Sequence, residues 1–150
     1  MRTIFTIGFT KKTAEEFFTL LEENSVTEVV DIRLYNSSQL SGYSKFPDIK
    51  YFLKKICNIE YHYDKTLAPS KELFNDFQKS VIDWFDYEIR FLTLMEERGA
   101  NTHIALNYSD SDRICLLCSE PTAEQCHRRL VAERIKNVFS EDEDIEIIHL

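Results

Sequence analysis

Cys118 is the residue with the clearest capacity for chemistry, because it ends an apolar run and leads into the turn before a helix. Unpaired amides and the helix dipole at such a helix start favour an anion, either a thiolate or a bound phosphate. A nearby Arg33 would stabilise a thiolate further. These features predict that Cys118 is a nucleophile, with Glu120 beside it as an acid or base. The alternative is a small, partly buried thiol that only packs.

Asp31 and Arg33 lie at the end of a second apolar run, with one residue between them. On a strand this spacing directs both side chains to the same face. The planar fork of Arg33 is suited to gripping a carboxylate or phosphate, with Asp31 orienting it or acting as an acid or base. A structural ion pair between the two residues is the alternative. Gly8, at the end of the first strand, would let a ligand approach the backbone closely.

The run Cys126-His127-Arg128-Arg129 lies in the first turns of the last predicted helix. At about 100° per residue, His127 faces the sheet, where a hydrogen-bonded structural histidine is the common outcome. Cys126 is predicted to lie inside the helix in a structural role, whereas Arg128 is predicted to reach forward and bind the substrate.

A zinc site is one alternative use of this region. Cys118, Glu120, Cys126 and His127 are of the types that bind zinc. Adjacent Cys-His ligands after a seven-residue gap are, however, not a usual structural-zinc spacing. We therefore predict no metal and no cofactor, and a metal-dependent hydrolase stays as an alternative.

The remaining cysteines are predicted to pack. Cys115 and Cys118 match C-x-x-C, but on a strand their Cα atoms would lie about 10 Å apart, beyond the roughly 7 Å of a disulfide. Cys57 falls near the end of a helix. No apolar segment precedes a small-residue cleavage site at the N-terminus. We therefore expect a cytoplasmic protein whose four cysteines are thiols.

Length and charge limit the possible functions further. The chain has 150 residues, a common size for one domain, so residues 1–150 are predicted to form a single domain. No stretch has the apolar length of a membrane span, and no membrane partner is expected. The formal net charge of -8 disfavours loose, sequence-independent attraction to nucleic acid, although a local basic pocket can still exist within an acidic protein.

Strand and helix patterns alternate along the chain. Apolar runs predict strands over residues 3–7, 26–33, 59–63, 113–118 and 145–149. Caps and apolar stripes predict five helices. The first begins at Thr13, the second follows Pro47-Asp48, and the third runs from Ser70 through Phe77. The fourth contains the stripe Val81, Phe85, Ile89, Leu92 and Met95 and ends before Gly99, and the fifth runs from Thr122 to about Phe139. Residues 36–44 are predicted as a polar loop, and residues 101–112 stay unassigned.

This alternation predicts an α/β fold, a three-layer domain with a mostly parallel sheet of about five strands and helices on both faces. In such sheets, ligands bind beyond the carboxyl ends of the strands. The candidate residues follow those ends, so we expect them to converge on one concavity; they are Asp31, Arg33, Cys118, Glu120 and Arg128.

Four segments of the chain resemble a known family. Thr6-Ile7-Gly8-Phe9-Thr10, Asp31-Ile32-Arg33, Cys118-Ser119-Glu120-Pro121 and Cys126-His127-Arg128-Arg129 resemble, in order and spacing, the bacterial and archaeal family catalogued as domain of unknown function 488. The resemblance implies a compact α/β domain with a shared polar pocket, to which Gly8 and Thr10 would contribute, and it implies no reaction. Many relatives carry a His-Ser pair where this chain has Phe9-Thr10, so that histidine is absent.

These observations predict a pocket that binds or acts on a phosphorylated or otherwise anionic substrate, such as a nucleotide or a nucleic-acid end. Arg33 and Arg128 would hold the anion, Asp31 or Glu120 would serve as acid or base, and Cys118 would attack. A non-catalytic interaction or small-anion-binding module is an alternative, as is the metal-dependent hydrolase. No P-loop, G-x-G-x-x-G or H-E-x-x-H motif occurs.

Overall fold

The fold is built on one parallel sheet. The computed structural model describes residues 1–37, 42–120 and 122–150. Its five strands are β1 (Arg2–Gly8), β2 (Glu28–Asp31), β3 (Glu60–Tyr63), β4 (Arg113–Cys118) and β5 (Ile145–His149). They are arranged in the order β3-β2-β4-β1-β5, and each pairing is parallel. The predicted α/β fold with a mostly parallel sheet of about five strands is therefore confirmed.

Helices cover both faces of this sheet. They are α1 (Ala14–Glu23), α2 (Asp48–Phe52) continued by one π-helical turn (Leu53–Cys57), α3 (Lys71–Gln78), α4 (Trp84–Glu97), α5 (Ala100–Tyr108) and α6 (His127–Phe139). Short 3-10 turns occupy Gly42–Ser44 and Lys65–Leu67. Within the described ranges, no helix is long and apolar enough to cross a membrane.

The helix starts at α1 and α3 follow from local hydrogen bonding. Thr13 Oγ1 accepts a hydrogen bond from the Glu16 amide at 3.1 Å, and Ser70 Oγ accepts one from the Leu73 amide at 3.1 Å. Each contact satisfies a backbone donor that a helix start otherwise leaves unpaired. The predicted starts of both helices are confirmed.

Two separate cores result from the alternation of side chains along the strands. Ile4 of β1 packs in the core beneath α3 to α6, whereas its neighbour Phe5 packs on the other face beneath α1 and α2. In β4, Cys115 and Leu117 also pack on the α1 side. Cys115 is fully buried as a free thiol, and burial raises its pKa above the ordinary value. It is a packing residue, as the strand geometry predicted.

The buried face of α4 differs from the predicted one. Val81, Phe85 and Ile89 are exposed, and Val81 precedes the helix. The buried positions are Tyr87 and Phe91, followed by Met95. Both sets of residues have helical spacing, so periodicity alone could not identify the stripe that faces the sheet.

Two further assignments need correction. Residues 101–112, for which the sequence predicts no element, mostly form α5, whose buried positions are Ala100, Ile104 and Tyr108. Gly99, at φ +64°, ends α4 and lets α5 start at once. The last helix begins at His127 rather than near Thr122, and the residues after Pro121 form turns.

The loops and strand ends complete the comparison. Strand β2 ends at Asp31, two residues before the predicted end of residues 26–33. Residues 38–41 of the predicted polar loop, and Pro121 of the turn after β4, lie outside the described residues.

The identity of the buried face of α4 can be tested by two matched substitutions. We expect Phe91→Ala to lower the free energy of unfolding by about 3–5 kcal/mol, because Phe91 is fully buried. Phe85→Ala, on the same helix but 69% exposed, should change it by less than about 0.5 kcal/mol. Urea unfolding of the two variants measures both values, and equal effects would contradict the assignment.

Candidate functional site

The ends of β1, β2 and β4 lie side by side, because β4 sits between the other two in the sheet. Backbone pairing continues beyond the strands. The Ile32 amide donates to the Leu117 carbonyl at 3.1 Å, and the Thr10 amide donates to the Ser119 carbonyl at 3.1 Å. This continued pairing holds the segments that follow Gly8, Asp31 and Cys118 together at one edge of the sheet.

A pocket of about 140 Å³ opens between these segments and helices α3 and α4. Its polar side is formed by Arg33, Cys118, Ser119, Glu120, Gln125, Cys126 and His127. The opposite side is aromatic and is formed by Tyr35, Phe74, Phe77, Trp84 and Tyr87. The pocket therefore combines a polar side, which contains a cysteine, with an aromatic side suited to a planar or apolar group.

Asp31 and Arg33 form a buried ion pair. Arg33 Nε and Nη2 donate to the two oxygens of Asp31 at 2.9 and 2.8 Å. The Tyr61 hydroxyl donates to Asp31 Oδ2 at 2.5 Å, and the Arg33 backbone amide donates to Oδ1 at 3.1 Å. Asp31 is fully buried and does not line the pocket. With both oxygens occupied, it is placed to orient Arg33 rather than to exchange a proton with a ligand.

Arg33 itself faces the pocket. Its Nη2 also donates to the Ser44 carbonyl at 2.7 Å, which fixes the guanidinium. Nη1 is buried and has no hydrogen-bond partner in the part of the chain that the structure describes. A buried donor without a partner is unfavourable, so an acceptor atom of a ligand would stabilise this position.

Arg128, not Arg33, is the cation next to the candidate nucleophile. Arg128 Nη1 donates to Cys118 Sγ at 3.1 Å and also to the Glu120 carbonyl. Its Nε donates to Thr6 Oγ1 at 3.1 Å. The sequence assigned this role to Arg33, whose Nε and Nη2 are engaged with Asp31; an influence of Arg33 on the sulfur stays a prediction.

The environment of Arg128 is unusual for a charged side chain. Arg128 is fully buried, and burial lowers its pKa from the ordinary value. An arginine nevertheless stays protonated in proteins. Among the described residues, no carboxylate forms an ion pair with it. The buried cation thus has neutral oxygens and the sulfur of Cys118 as its partners.

His127 is neutral and has a defined tautomer. Its Nε2 lies 2.7 Å from the Ile32 carbonyl oxygen, which can only accept, so Nε2 carries the hydrogen. Burial lowers the pKa of His127 to about 4. Nδ1 therefore holds a lone pair, 3.9 Å from Cys126 Sγ. His127 combines the structural hydrogen bond that the sequence suggested with a position on the pocket wall.

Cys126 occupies the position just before α6, because the helix starts later than predicted. From this position it meets the end of β4, where the sulfurs of Cys118 and Cys126 lie in contact and their Cα atoms are 7.7 Å apart. That Cα separation exceeds the roughly 7 Å of a disulfide, so the expectation that the cysteines are thiols stays a prediction. Among the described residues, Cys57 and Cys115 have no sulfur neighbour. The Cys57 thiol is partly buried, and burial raises its pKa to about 11.

Gly8 and Thr10 lie next to the site in the chain but are not among the residues that line the pocket. A Cβ atom on Gly8 would lie 1.6 Å from the Glu120 carbonyl oxygen and 2.7 Å from Arg128 Nη1. The close approach for which Gly8 is needed is therefore made by the protein's own chain, not by a ligand. Thr10 contributes its amide to the Ser119 carbonyl.

Glu120 lies at the rim of the pocket with an exposed side chain, while its carbonyl is held by Arg128. A proton-transfer role for its carboxylate stays a prediction. The zinc alternative finds no support in the geometry. Within the described ranges, no three His, Cys, Asp or Glu side chains are grouped as metal ligands.

Sequence reasoning missed the aromatic wall and Thr6. The wall comes from three separate segments, and the predicted stripe of α4 did not include Trp84 or Tyr87. The spacing of these two aromatic residues by three positions was the available signal. Thr6 Oγ1 accepts from Arg128 Nε and also lies 2.6 Å from His149 Nδ1. No local pattern marks a threonine within a buried strand as a polar partner.

Comparison with known proteins adds one finding. The family model described as "Domain of unknown function DUF488" matches residues 13–135. This span contains Asp31, Arg33, Cys118 and Arg128, whereas Gly8 precedes it. Nothing matched in a search of curated proteins or in a search of solved structures.

The close contact at Gly8 leads to a stability prediction. We expect Gly8→Ala to lower the free energy of unfolding by about 1–3 kcal/mol, because the added methyl group forces the Glu120 backbone or Arg128 to move. Gly42→Ala is the control, since a Cβ there meets no atom within 4 Å, and it should change stability by less than about 1 kcal/mol. Thermal or urea unfolding distinguishes the two, and a neutral Gly8→Ala would contradict the packing.

The buried neutral state of His127 predicts a pH dependence of stability. The unfolded histidine gains a proton near pH 6.5, whereas the folded one stays neutral to about pH 4. The contribution of His127 is therefore complete above pH 6.5 and falls as the pH drops through this window, by on the order of 3 kcal/mol. His127→Gln should flatten the pH dependence of urea unfolding between these limits, and the exposed His62→Gln should leave it intact. Identical slopes for His127→Gln and the unmodified protein would refute the assignment.

Proposed function

We propose that this chain, which belongs to the DUF488 family, binds a small phosphorylated or otherwise anionic ligand in the pocket at the strand ends and acts on it with the reduced thiol of Cys118. Nucleotides and nucleic-acid ends are members of this ligand class. Arg128 stabilises the sulfur as a thiolate, and Arg33 Nη1 supplies a hydrogen bond to the ligand.

The observation that carries the proposal is the buried, unpaired charge of Arg128. A buried cation is costly unless a negative group lies beside it. Cys118 Sγ lies 3.1 Å from Nη1 and can carry a negative charge in the reduced protein. A thiolate is the nucleophilic form of cysteine, and a neighbouring guanidinium favours it. Ionisation of Cys118 to the thiolate thereby offsets the free-energy cost of burying Arg128, and it also produces the form that attacks the ligand.

The proposed step is nucleophilic displacement. The sulfur of Cys118 forms a bond to an electrophilic atom of the ligand, and the bond from that atom to the leaving group breaks with its electron pair. A water molecule then displaces the sulfur, which leaves as the thiolate. The water gives up a proton, and the lone pair of His127 Nδ1 in the pocket wall is placed to accept it.

The pairing with Cys126 defines when this chemistry operates. If these two sulfurs are oxidised to a disulfide, Cys118 has no thiolate and cannot attack. The active form is therefore the reduced one. The same pairing favours a second candidate function, a non-catalytic anion-binding module, because an oxidised protein keeps Arg33 in the lining of the pocket without a nucleophile.

Alkylation separates these two functions. After reduction, native protein is treated with iodoacetamide near neutral pH, and labelled peptides are quantified by mass. We expect Cys118 to react at least ten times faster than Cys126 and Cys57, and Cys115 to react only after unfolding. Without reductant, Cys118 should not react. Equal rates for Cys118 and Cys126 in the reduced protein would eliminate the nucleophile and leave the anion-binding module.

Two variants connect this reactivity to its cause. Arg128→Met should slow Cys118 labelling about tenfold or more, since each pKa unit changes the thiolate fraction tenfold, and Arg128→Lys should restore part of the rate. Arg129→Ala, at the next position of α6 but partly exposed, is the matched control and should label like the unmodified protein. Circular dichroism confirms that each variant is folded. An unchanged rate in folded Arg128→Met would contradict the proposed role of Arg128.

A further inference from the structure

A second concavity adjoins the pocket. It measures about 640 Å³, and its lining includes the cations Lys65, Lys71 and Arg98. Leu34 and Pro69 line both concavities, so the two form one continuous surface. We call the second one the basic groove, because none of the described residues that line it is acidic.

The charge of the basic groove stands out against the rest of the chain. The protein has 26 acidic and 18 basic residues, and most buried or half-buried arginines are in ion pairs. Within the described part of the chain, none of Lys65, Lys71 and Arg98 is in an ion pair. Three cations without carboxylate partners on one groove produce a local positive potential that attracts an anion.

Arg98 is fixed in position by the backbone of the groove. Its Nη1 donates to the carbonyls of Thr66 at 2.9 Å and Ala68 at 2.6 Å. Among the described residues, Nη1 makes all of the hydrogen bonds of this side chain, so Nε and Nη2 are left for another acceptor. A held guanidinium loses little conformational entropy when it binds a phosphate.

The two concavities differ in size and chemistry. The pocket, at about 140 Å³, is smaller than the roughly 300 Å³ of ordinary small-molecule sites, so it accommodates one ring-sized group rather than a whole nucleotide. Its aromatic wall suits a planar ring, since Trp84 and Tyr87 are stacked at 5.0 Å there. The basic groove is large enough for a sugar and its phosphate.

We infer that the basic groove is the phosphate subsite of the pocket and that the ligand is a free mononucleotide, with its base against the aromatic wall and its phosphate on Lys65, Lys71 and Arg98. This inference rests on the proposed function and deepens it. The base, rather than the phosphate, then lies beside Cys118 and Arg33, so the atom that Cys118 attacks belongs to the base-bearing end of the ligand. The net charge of -8 favours a free nucleotide over a nucleic acid.

Trp84 provides the measurement, because it is the one tryptophan of the chain and lines the pocket. Tryptophan fluorescence is titrated with AMP, GMP, CMP and UMP and with the four corresponding nucleosides. We expect at least one nucleotide to quench Trp84 and to bind at least ten times more tightly than its nucleoside. Higher salt should weaken binding of the nucleotide and leave that of the nucleoside unchanged.

The double variant Lys65→Gln, Lys71→Gln tests the groove directly. It should lower nucleotide affinity about tenfold or more without changing nucleoside affinity. Lys50→Gln, on α2 at the opposite face of the sheet, is the matched control and should bind like the unmodified protein. Equal affinities for nucleotide and nucleoside, or an effect of Lys50→Gln as large as that of the double variant, would overturn the subsite. Tighter binding of a 5′-phosphorylated single-stranded oligonucleotide than of the mononucleotide would overturn the free nucleotide as the ligand.

Failure of this inference is distinguishable from failure of the proposed function. Fast alkylation of reduced Cys118 together with no preference for nucleotides would remove the phosphate subsite and keep the nucleophile. Nucleotide binding that persists in Cys118→Ser, combined with slow alkylation of Cys118, would keep the subsite and remove the nucleophile.

Discussion

The edge of the sheet depends on one buried guanidinium. Arg128 reaches from the start of α6 to Thr6 in β1, to Cys118 at the end of β4 and to the Glu120 carbonyl in the turn that follows. These contacts hold the last helix against two strands, and they explain the need for Gly8, whose missing side chain leaves the space that Glu120 and Arg128 occupy. The buried charge of Arg128 contacts neutral oxygens and one sulfur. The charge on that sulfur therefore affects the stability of the whole sheet edge.

The two arginines of the site have different tasks because their partners differ. Arg33 has a carboxylate, a backbone carbonyl and an aromatic ring around it, and Asp31 in turn accepts from Tyr61. This network is nearly complete by itself and leaves Nη1 of Arg33 buried without a partner among the described residues. Arg128 has no carboxylate partner in the same part of the chain. The proposed function therefore assigns Arg33 to the ligand and Arg128 to the sulfur of Cys118. The residue types alone could not divide these tasks.

Most of the strands and helices were predictable from the sequence, whereas the aromatic wall of the pocket was not. The sequence predicts β4 and the centre of β2 because a buried parallel strand is a continuous apolar run, and parallel order brings strand ends together. The inner face of α4 was not recognised, since Phe85 and Phe91 both fit a helical stripe and tertiary packing decides between them. The start of α6 was placed too early because a capping pattern at Thr122 was satisfied locally, whereas the observed start depends on where Cys126 meets Cys118. Long-range contacts decided both cases.

Under the proposed function, the contact between Cys118 and Arg128 would also couple ligand binding to the oxidation state of Cys118 and Cys126. In the reduced protein a thiolate at Cys118 would neutralise Arg128, whereas in a disulfide with Cys126 the sulfur would be uncharged and the cation would have only neutral partners. The electrostatic attraction of Arg128 for an anionic group would therefore be stronger in the oxidised protein than in the reduced one. Binding free energies are reciprocal, so a ligand that prefers the oxidised form also favours disulfide formation by the same amount. Under the proposed function, an oxidised protein would therefore favour an anion near Arg128, whereas in the reduced protein the charge of Cys118 would take that place and serve as the nucleophile.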